Sequence, residues 1–163
     1  MAATALVALS AAPAKAGTVV QNNLANCRAG ASGTHVLVRV NGFREGTGRV
    51  RVQSYRGDNW LGRGQWLHRV DIPVRLSGRS MAVCLPLPAP GAYGIAVRHD
   101  ENNNGSSDRR DGAAFSRNPD ISFPFDMRPR FNEVSFNAGA GTTSINVVLN
   151  YLQGASVEPI GGR

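Results

Sequence analysis

Hydrophobic and polar residues alternate along several short stretches of the chain, and a period of two marks strands with one buried face. Val36, Val38 and Val40 alternate with His35, Leu37 and Arg39, and Val50, Val52 and Ser54 alternate with Arg49, Arg51 and Gln53. The connection between them, NGFREGTG, carries an Asn-Gly pair and two further glycines, a composition that returns a chain antiparallel. In a third run Val70, Ile72, Val74 and Leu76 face one way while Arg69, Asp71, Pro73 and Arg75 face the other. Pro73 has no N–H for a ladder, so this run is expected at a sheet edge. Ser77 and Gly78 turn the chain into a fourth strand over residues 81–85. The three prolines of LPLPAPG (residues 85–91) predict an irregular connection. A fifth strand, residues 92–99, sets Tyr93, Ile95 and Val97 on one face. Its other face carries Ala92, Gly94 and Ala96, and such small residues predict a close neighbour.

Elsewhere the period is weaker. Trp60, Leu61, Trp66 and Leu67, in residues 56–68, are too apolar for a free loop. They are expected to close one end of the core, with a shallow ligand groove at Trp60 and Trp66 as the alternative. Residues 113–130 read as an ordered irregular segment. Two last strands, residues 133–138 and 143–152, are joined by a glycine-rich turn, and residues 153–163 read as a frayed tail. About seven strands without a convincing helix predict an all-β fold, a single immunoglobulin-like or transthyretin-like β-sandwich over residues 34–152, preceded by an arm over residues 17–33.

Composition adds a location. The chain has 163 residues, enough for one core. Residues 2–12 form a short apolar run, and Ala14-Lys15-Ala16 is a small-x-small site before Gly17. This is the pattern of a secretory signal peptide over residues 1–16, truncated because it lacks a positive leader, and it predicts a periplasmic or secreted protein; the alternative is a flexible tail. No other run approaches the roughly 20 apolar residues that cross a bilayer, so no transmembrane segment is expected in the mature chain. Export would let Cys27 and Cys84 form a disulfide; in a reducing compartment they would instead be small buried thiols. The net charge of +7 attracts anionic partners, among them an anionic glycan of the envelope. Lys15 is the only lysine and the arginines are scattered, without a recognisable DNA- or RNA-binding motif, so no nucleic-acid partner is expected.

The chemistry concentrates after the fifth strand. Asp100, Asn102, Asn104, Gly105, Ser106, Asp108 and Asp111 fall at positions 1, 3, 5, 6, 7, 9 and 12 of the spacing used by EF-hand-type calcium loops. Oxygen donors without nitrogen or sulfur suit calcium rather than zinc or copper. Only three of these residues are carboxylates, and Asp111 reaches less far than a glutamate. The expected calcium affinity is therefore weak, on the order of 10⁻⁴ to 10⁻³ M. The alternative is a polar turn in which Asn102, Asn103 and Asn104 cap their own backbone and Gly105 takes a positive φ. Arg109 and Arg110 would oppose a cation if they pointed inward. No nucleophile elbow, phosphate loop or HExxH motif is present, and the three histidines lie on separate segments. His99 beside Asp100 is the best general-base candidate, but consecutive strand residues point to opposite faces. His99 is expected to hydrogen-bond to the loop and fix its shape, and the chain is read as non-enzymatic.

The same region carries a family resemblance. PGAYGIAVRHD (residues 90–100), ENNNG (101–105) and DGAAFSRNP (111–119) resemble DUF2141, a bacterial exported domain of unknown function whose members show PGxYA, HDxNxNG and a GFSNN-like segment. The similarity runs in order from Val36 to Tyr151. Gly94 stands where the family usually has alanine, and Ala113-Ala114 where glycine is common. The resemblance implies secretion and a β-sandwich, and supplies no established activity. The leading expectation is an exported envelope module stabilised by calcium. The alternative is a recognition or carrier domain for an anionic polysaccharide or small ligand, using Trp60, Trp66 and exposed arginines.

Overall fold

A computed structural model of the chain describes residues 17–161; the expected signal segment lies outside the described residues. The strands are β1 (Thr18–Val19), β2 (Thr34–Asn41), β3 (Arg49–Tyr55), β4 (His68–Pro73), β5 (Ser80–Leu87), β6 (Gly91–Asp100), β7 (Gly112–Phe115), β8 (Phe136–Ala138), β9 (Gly141–Val148), β10 (Asn150–Gln153) and β11 (Ser156–Pro159). A single α-helical turn, α1 (Phe131–Val134), precedes β8. The strands form two mixed sheets. The larger runs β1-β4-β3-β6-β7-β10-β11, with β8 also on β6; the smaller runs β5-β2-β9. Two pairings are parallel, β1 with β4 and β2 with β9.

The alternating positions explain the core. Val36, Val38, Val40, Val83, Leu85 and Val147 of the small sheet meet Val50, Val52, Val70, Tyr93, Ile95 and Val97 of the large one in a single buried cluster. Burying one such side chain stabilises by about 1.5–3 kcal/mol, so this layer dominates the favourable side of folding. A second, smaller cluster covers the opposite face of the large sheet, where Tyr55, Ala96 and Phe115 pack with Ile121, Val134, Trp60 and Trp66.

Several expectations change: the described residues form eleven strands and not about seven, and the strand of Pro73, β4, lies between β1 and β3 instead of at an edge, although the short β1 reaches only His68 and Arg69 and leaves Pro73 uncovered. β5 runs through Pro86 to Leu87 instead of stopping at residue 85. Pro86 opposite His35 is tolerated because β5 is an edge strand, paired on one side only. The run over residues 143–152 is two strands. Leu149 carries the chain from β9 in the small sheet to β10 in the large one, and its N–H donates to the Asn41 carbonyl at 2.9 Å. Residues 153–163 are no frayed tail over their described part, because β10 and β11 form a hairpin turning at Gly154. Residues 133–138 divide into the end of α1 and the short β8, and part of the 113–130 segment is β7. The arm contributes β1 and is fastened by a Cys27–Cys84 disulfide. Closing 57 residues in the unfolded chain contributes about 4 kcal/mol in the chain-entropy model.

Candidate functional site

The candidate site grows out of the end of β6. Alternation along this strand sends His99 into the core and Arg98 and Asp100 to the outer face. His99 is fully buried, its Nε2 2.8 Å from the Thr47 carbonyl and its Nδ1 2.7 Å from the Tyr151 hydroxyl. A carbonyl only accepts, so Nε2 carries the proton in the neutral ring and Nδ1 accepts from Tyr151. The Tyr151 oxygen in turn accepts from the Arg44 N–H at 3.2 Å. His99 thus fixes the β2–β3 connection and β10, a correction to the expectation that it bonds the acidic loop. Gly48 supports the same junction with φ at 75°, because a Cβ there would sit 2.0 Å from the Asp100 carbonyl oxygen.

On the outer face the loop folds around its own polar side chains. Asp100 accepts from the N–H groups of Asn104 at 3.1 Å and Gly105 at 2.9 Å. Asn102 and Asn104 accept from the backbone two residues on, from Asn104 and Ser106, and Gly105 has φ 78°. Asn102 and Asn104 thus cap their own backbone as the polar-turn expectation has it, whereas Asn103 takes φ 54° and donates its N–H to the Asp100 carbonyl. The side-chain amides of Asn102 and Asn104 meet on one oxygen of Asp108, at 2.8 and 2.6 Å. Asp108 is held below the usual carboxylate range, first by the Arg110 N–H and then by the Asn102 amide. Ser106 is exposed and contributes its N–H to Asn104.

Asp111 stands apart. Its side chain is 7% exposed, and both carboxylate oxygens are buried without a hydrogen-bond partner. Burial pushes its pKa up, and the nearby carboxylates of Asp108 and Asp100 add to the effect against the opposing charge of Arg98. The Arg98 guanidinium lies between the first and twelfth positions of the loop, with Nη2 3.2 Å from Asp100, Nε 3.8 Å from Asp111 and Nη1 donating to Ser107 at 2.9 Å. Arg110 turns away to Glu101, which Arg44 also holds at 2.6 Å, and Arg109 is exposed. Sequence reasoning weighed Arg109 and Arg110 and missed Arg98. The signal was available, since residues 98 and 100 share a face of the strand.

Among the described residues no group of three or more His, Cys, Asp and Glu side chains is arranged to hold a metal ion. A hard cation would therefore need the amide oxygens of Asn102 and Asn104 and loop carbonyls beside the carboxylates of Asp100, Asp108 and Asp111. The two tryptophans lie elsewhere. Trp60 donates to the Pro129 carbonyl at 2.7 Å and packs edge-on against Tyr55, Phe115 and Phe131. Its ring is the close neighbour expected over Gly94 and Ala96 of β6, 2.7 Å from where a Gly94 Cβ would be, whereas Ala92 is exposed and has no such cover. Trp66 is half-buried under the Arg69 guanidinium, 4.7 Å from the ring centre.

Two mixed β-sheets carrying an Asp/Asn loop between β6 and β7 define an all-β domain, and among the described residues no helix is long and apolar enough to cross a membrane. The family model described as an uncharacterized protein conserved in bacteria, DUF2141, matches residues 38–146, more than half of the chain, and the chain belongs to that family. Comparison with curated proteins and with solved structures found no match.

Proposed function

We propose that this chain is an exported, non-enzymatic module of the bacterial cell envelope, an immunoglobulin-like or transthyretin-like sandwich in which calcium braces the loop between β6 and β7. The carrying observation is Asp111, a buried carboxylate at the twelfth position of a calcium-loop spacing whose two oxygens accept no hydrogen bond and whose counter-charge, Arg98, lies 3.8 Å away. A buried carboxylate that accepts no hydrogen bond is costly, and a divalent cation on its oxygens would lower that cost. The Cys27–Cys84 disulfide supports an oxidising compartment, periplasmic or extracellular. Thermal melts of the full chain in millimolar calcium and in chelator, with magnesium as control, test the reading. Calcium raises the melting temperature; identical melts overturn it.

The net charge of +7 supports a second reading, recognition of an anionic glycan. Salt-sensitive retention on an anionic glycan column is its expected result, and passage through the column at low salt refutes it.

A further inference from the structure

The outer face of the large sheet carries three arginines beside the loop. Arg51 is the cross-strand partner of Arg98, and Arg49 of Asp100. Asp71, on β4, lies opposite Arg51 on the other side. Together with Asn103, Asn104 and Gly105 these residues line a cleft of about 270 Å³. Asp71 is already shared, with Arg49 at 2.9 Å and Arg51 at 2.7 Å. Arg98 depends for its counter-charge on Asp100 and Asp111, the two carboxylates that a cation in the loop would claim.

A divalent ion at those carboxylates repels the guanidinium now lying between them. Three guanidinium groups would then face Asp71 alone, and directly opposed like charges on neighbouring strands are unfavourable without a counter-ion. A planar guanidinium pairs bidentately with carboxylate, sulfate or phosphate oxygens, which lysine does not do, and every cation of this cleft is an arginine.

We propose that the Arg49–Arg51–Arg98 cleft is an oxyanion site, for a carboxylate or sulfate group, completed when a cation entering the loop releases Arg98 from Asp100 and Asp111. The inference rests on the calcium reading and extends it. It also places anion recognition at the arginine cleft and not at Trp60 and Trp66. Cation and anion then strengthen each other's binding reciprocally, as linkage requires.

The test is calorimetric titration of the full, disulfide-bonded chain with calcium chloride, and with sodium sulfate or glucuronate in the presence and absence of calcium at constant ionic strength. With calcium loaded, at least one of the two anions binds about fivefold tighter or more, the lower end of ordinary coupling. Arg98→Met binds calcium more tightly than wild type because the tethered competitor is gone, and loses the calcium effect on the anion. Arg51→Met weakens the anion and leaves calcium binding unchanged. Calcium binding with the same anion affinity in both states overturns the coupled site and leaves the calcium reading standing. A wild-type chain that takes no calcium overturns both.

Discussion

Replacing Tyr151 by Phe isolates one hydroxyl at the centre of the core. The ring is fully buried, and the Arg44 guanidinium lies 4.7 Å from its centre, a contact that phenylalanine keeps. What disappears is the donor to His99 Nδ1 at 2.7 Å and the acceptor for the Arg44 N–H at 3.2 Å. His99 cannot compensate by changing tautomer, because its Nε2–H is held by the Thr47 carbonyl. Each orphaned group costs about 1–3 kcal/mol, and the partly buried Arg44 N–H sits at the low end, so Tyr151→Phe should cost about 2–4 kcal/mol. For a domain of this size that lowers the melting temperature by on the order of 10 °C. Urea unfolding followed by circular dichroism measures the loss. Alkaline titration gives an independent readout. Burial pushes the Tyr151 pKa from 10.0 up to about 12. The folded state therefore holds this proton after the unfolded chain has released it, and this contribution to stability falls as pH rises from 10 through 12. Tyr151→Phe removes that slope. A loss below about 0.5 kcal/mol, well under the cost of one orphaned group, would refute the argument that these hydrogen bonds lock β6 to β10.

Gly94→Ala puts a Cβ 2.7 Å from the Trp60 ring, which is itself anchored on Pro129, and should cost about 1–3 kcal/mol; an unchanged urea midpoint shows that Trp60 moves freely. Cys84→Ser should cost about 4 kcal/mol and make the melt insensitive to reductant, whereas a wild-type melt that ignores complete reduction contradicts a stabilising bridge. At Asp71 burial alone would raise the pKa, but hydrogen bonds from Arg49 and Arg51 outweigh it and hold the carboxyl below 3.8. Its stabilisation is present above the unfolded value and is lost as pH falls through the lower folded one, so Asp71→Asn should flatten the acid limb of stability below pH 3.8. The effect stays under about 1 kcal/mol because both arginines are solvent-exposed in part, and an acid limb identical to wild type is the contrary result.

Period two was readable wherever a strand has one wet face. Val36 to Val40 and Val50 to Ser54 pointed to their buried sides without any tertiary information, and Gly94 and Ala96 announced a close neighbour that proves to be Trp60, while Ala92 is exposed. At Gly94 that indole occupies the space of a Cβ. Strand ends were less legible, since they depend on partners distant in sequence. Pro86 looks like a breaker until β5 is known to be an edge, and Leu149 looks like one more strand residue until the chain is seen to change sheets beside Asn41. The β10–β11 hairpin was hidden because SVEP has too few apolar residues to show a period. At the site, the carboxamide turns and Gly105 were legible from spacing. The partners of His99 were not, because Thr47 and Tyr151 arrive from 52 residues away on either side.

The two faces of β6 connect the core to the loop. On the inner face the His99–Tyr151 hydrogen bond and the Thr47 carbonyl fix the strand against two other segments, so the backbone delivering Arg98 and Asp100 has little freedom. At the other end of the loop Gly112 begins β7 opposite His99, and a Cβ there would sit 2.5 Å from the Tyr151 ring. The first and last carboxylates of the loop are therefore both referenced to the same buried tyrosine, Asp100 through its neighbour His99 and Asp111 through its neighbour Gly112. Rigid end-points of this kind lower the ordering cost of capturing a ligand between them. They also mean that Tyr151→Phe should weaken any calcium-induced stabilisation along with the core itself, while a substitution equally costly to the core but remote from β6, such as Val147→Ala on β9, should leave the calcium-induced shift intact. Measuring that shift in both variants separates a loop held by the core from one that merely sits on it: equal shifts would show that the His99–Tyr151 lock has no part in forming the site.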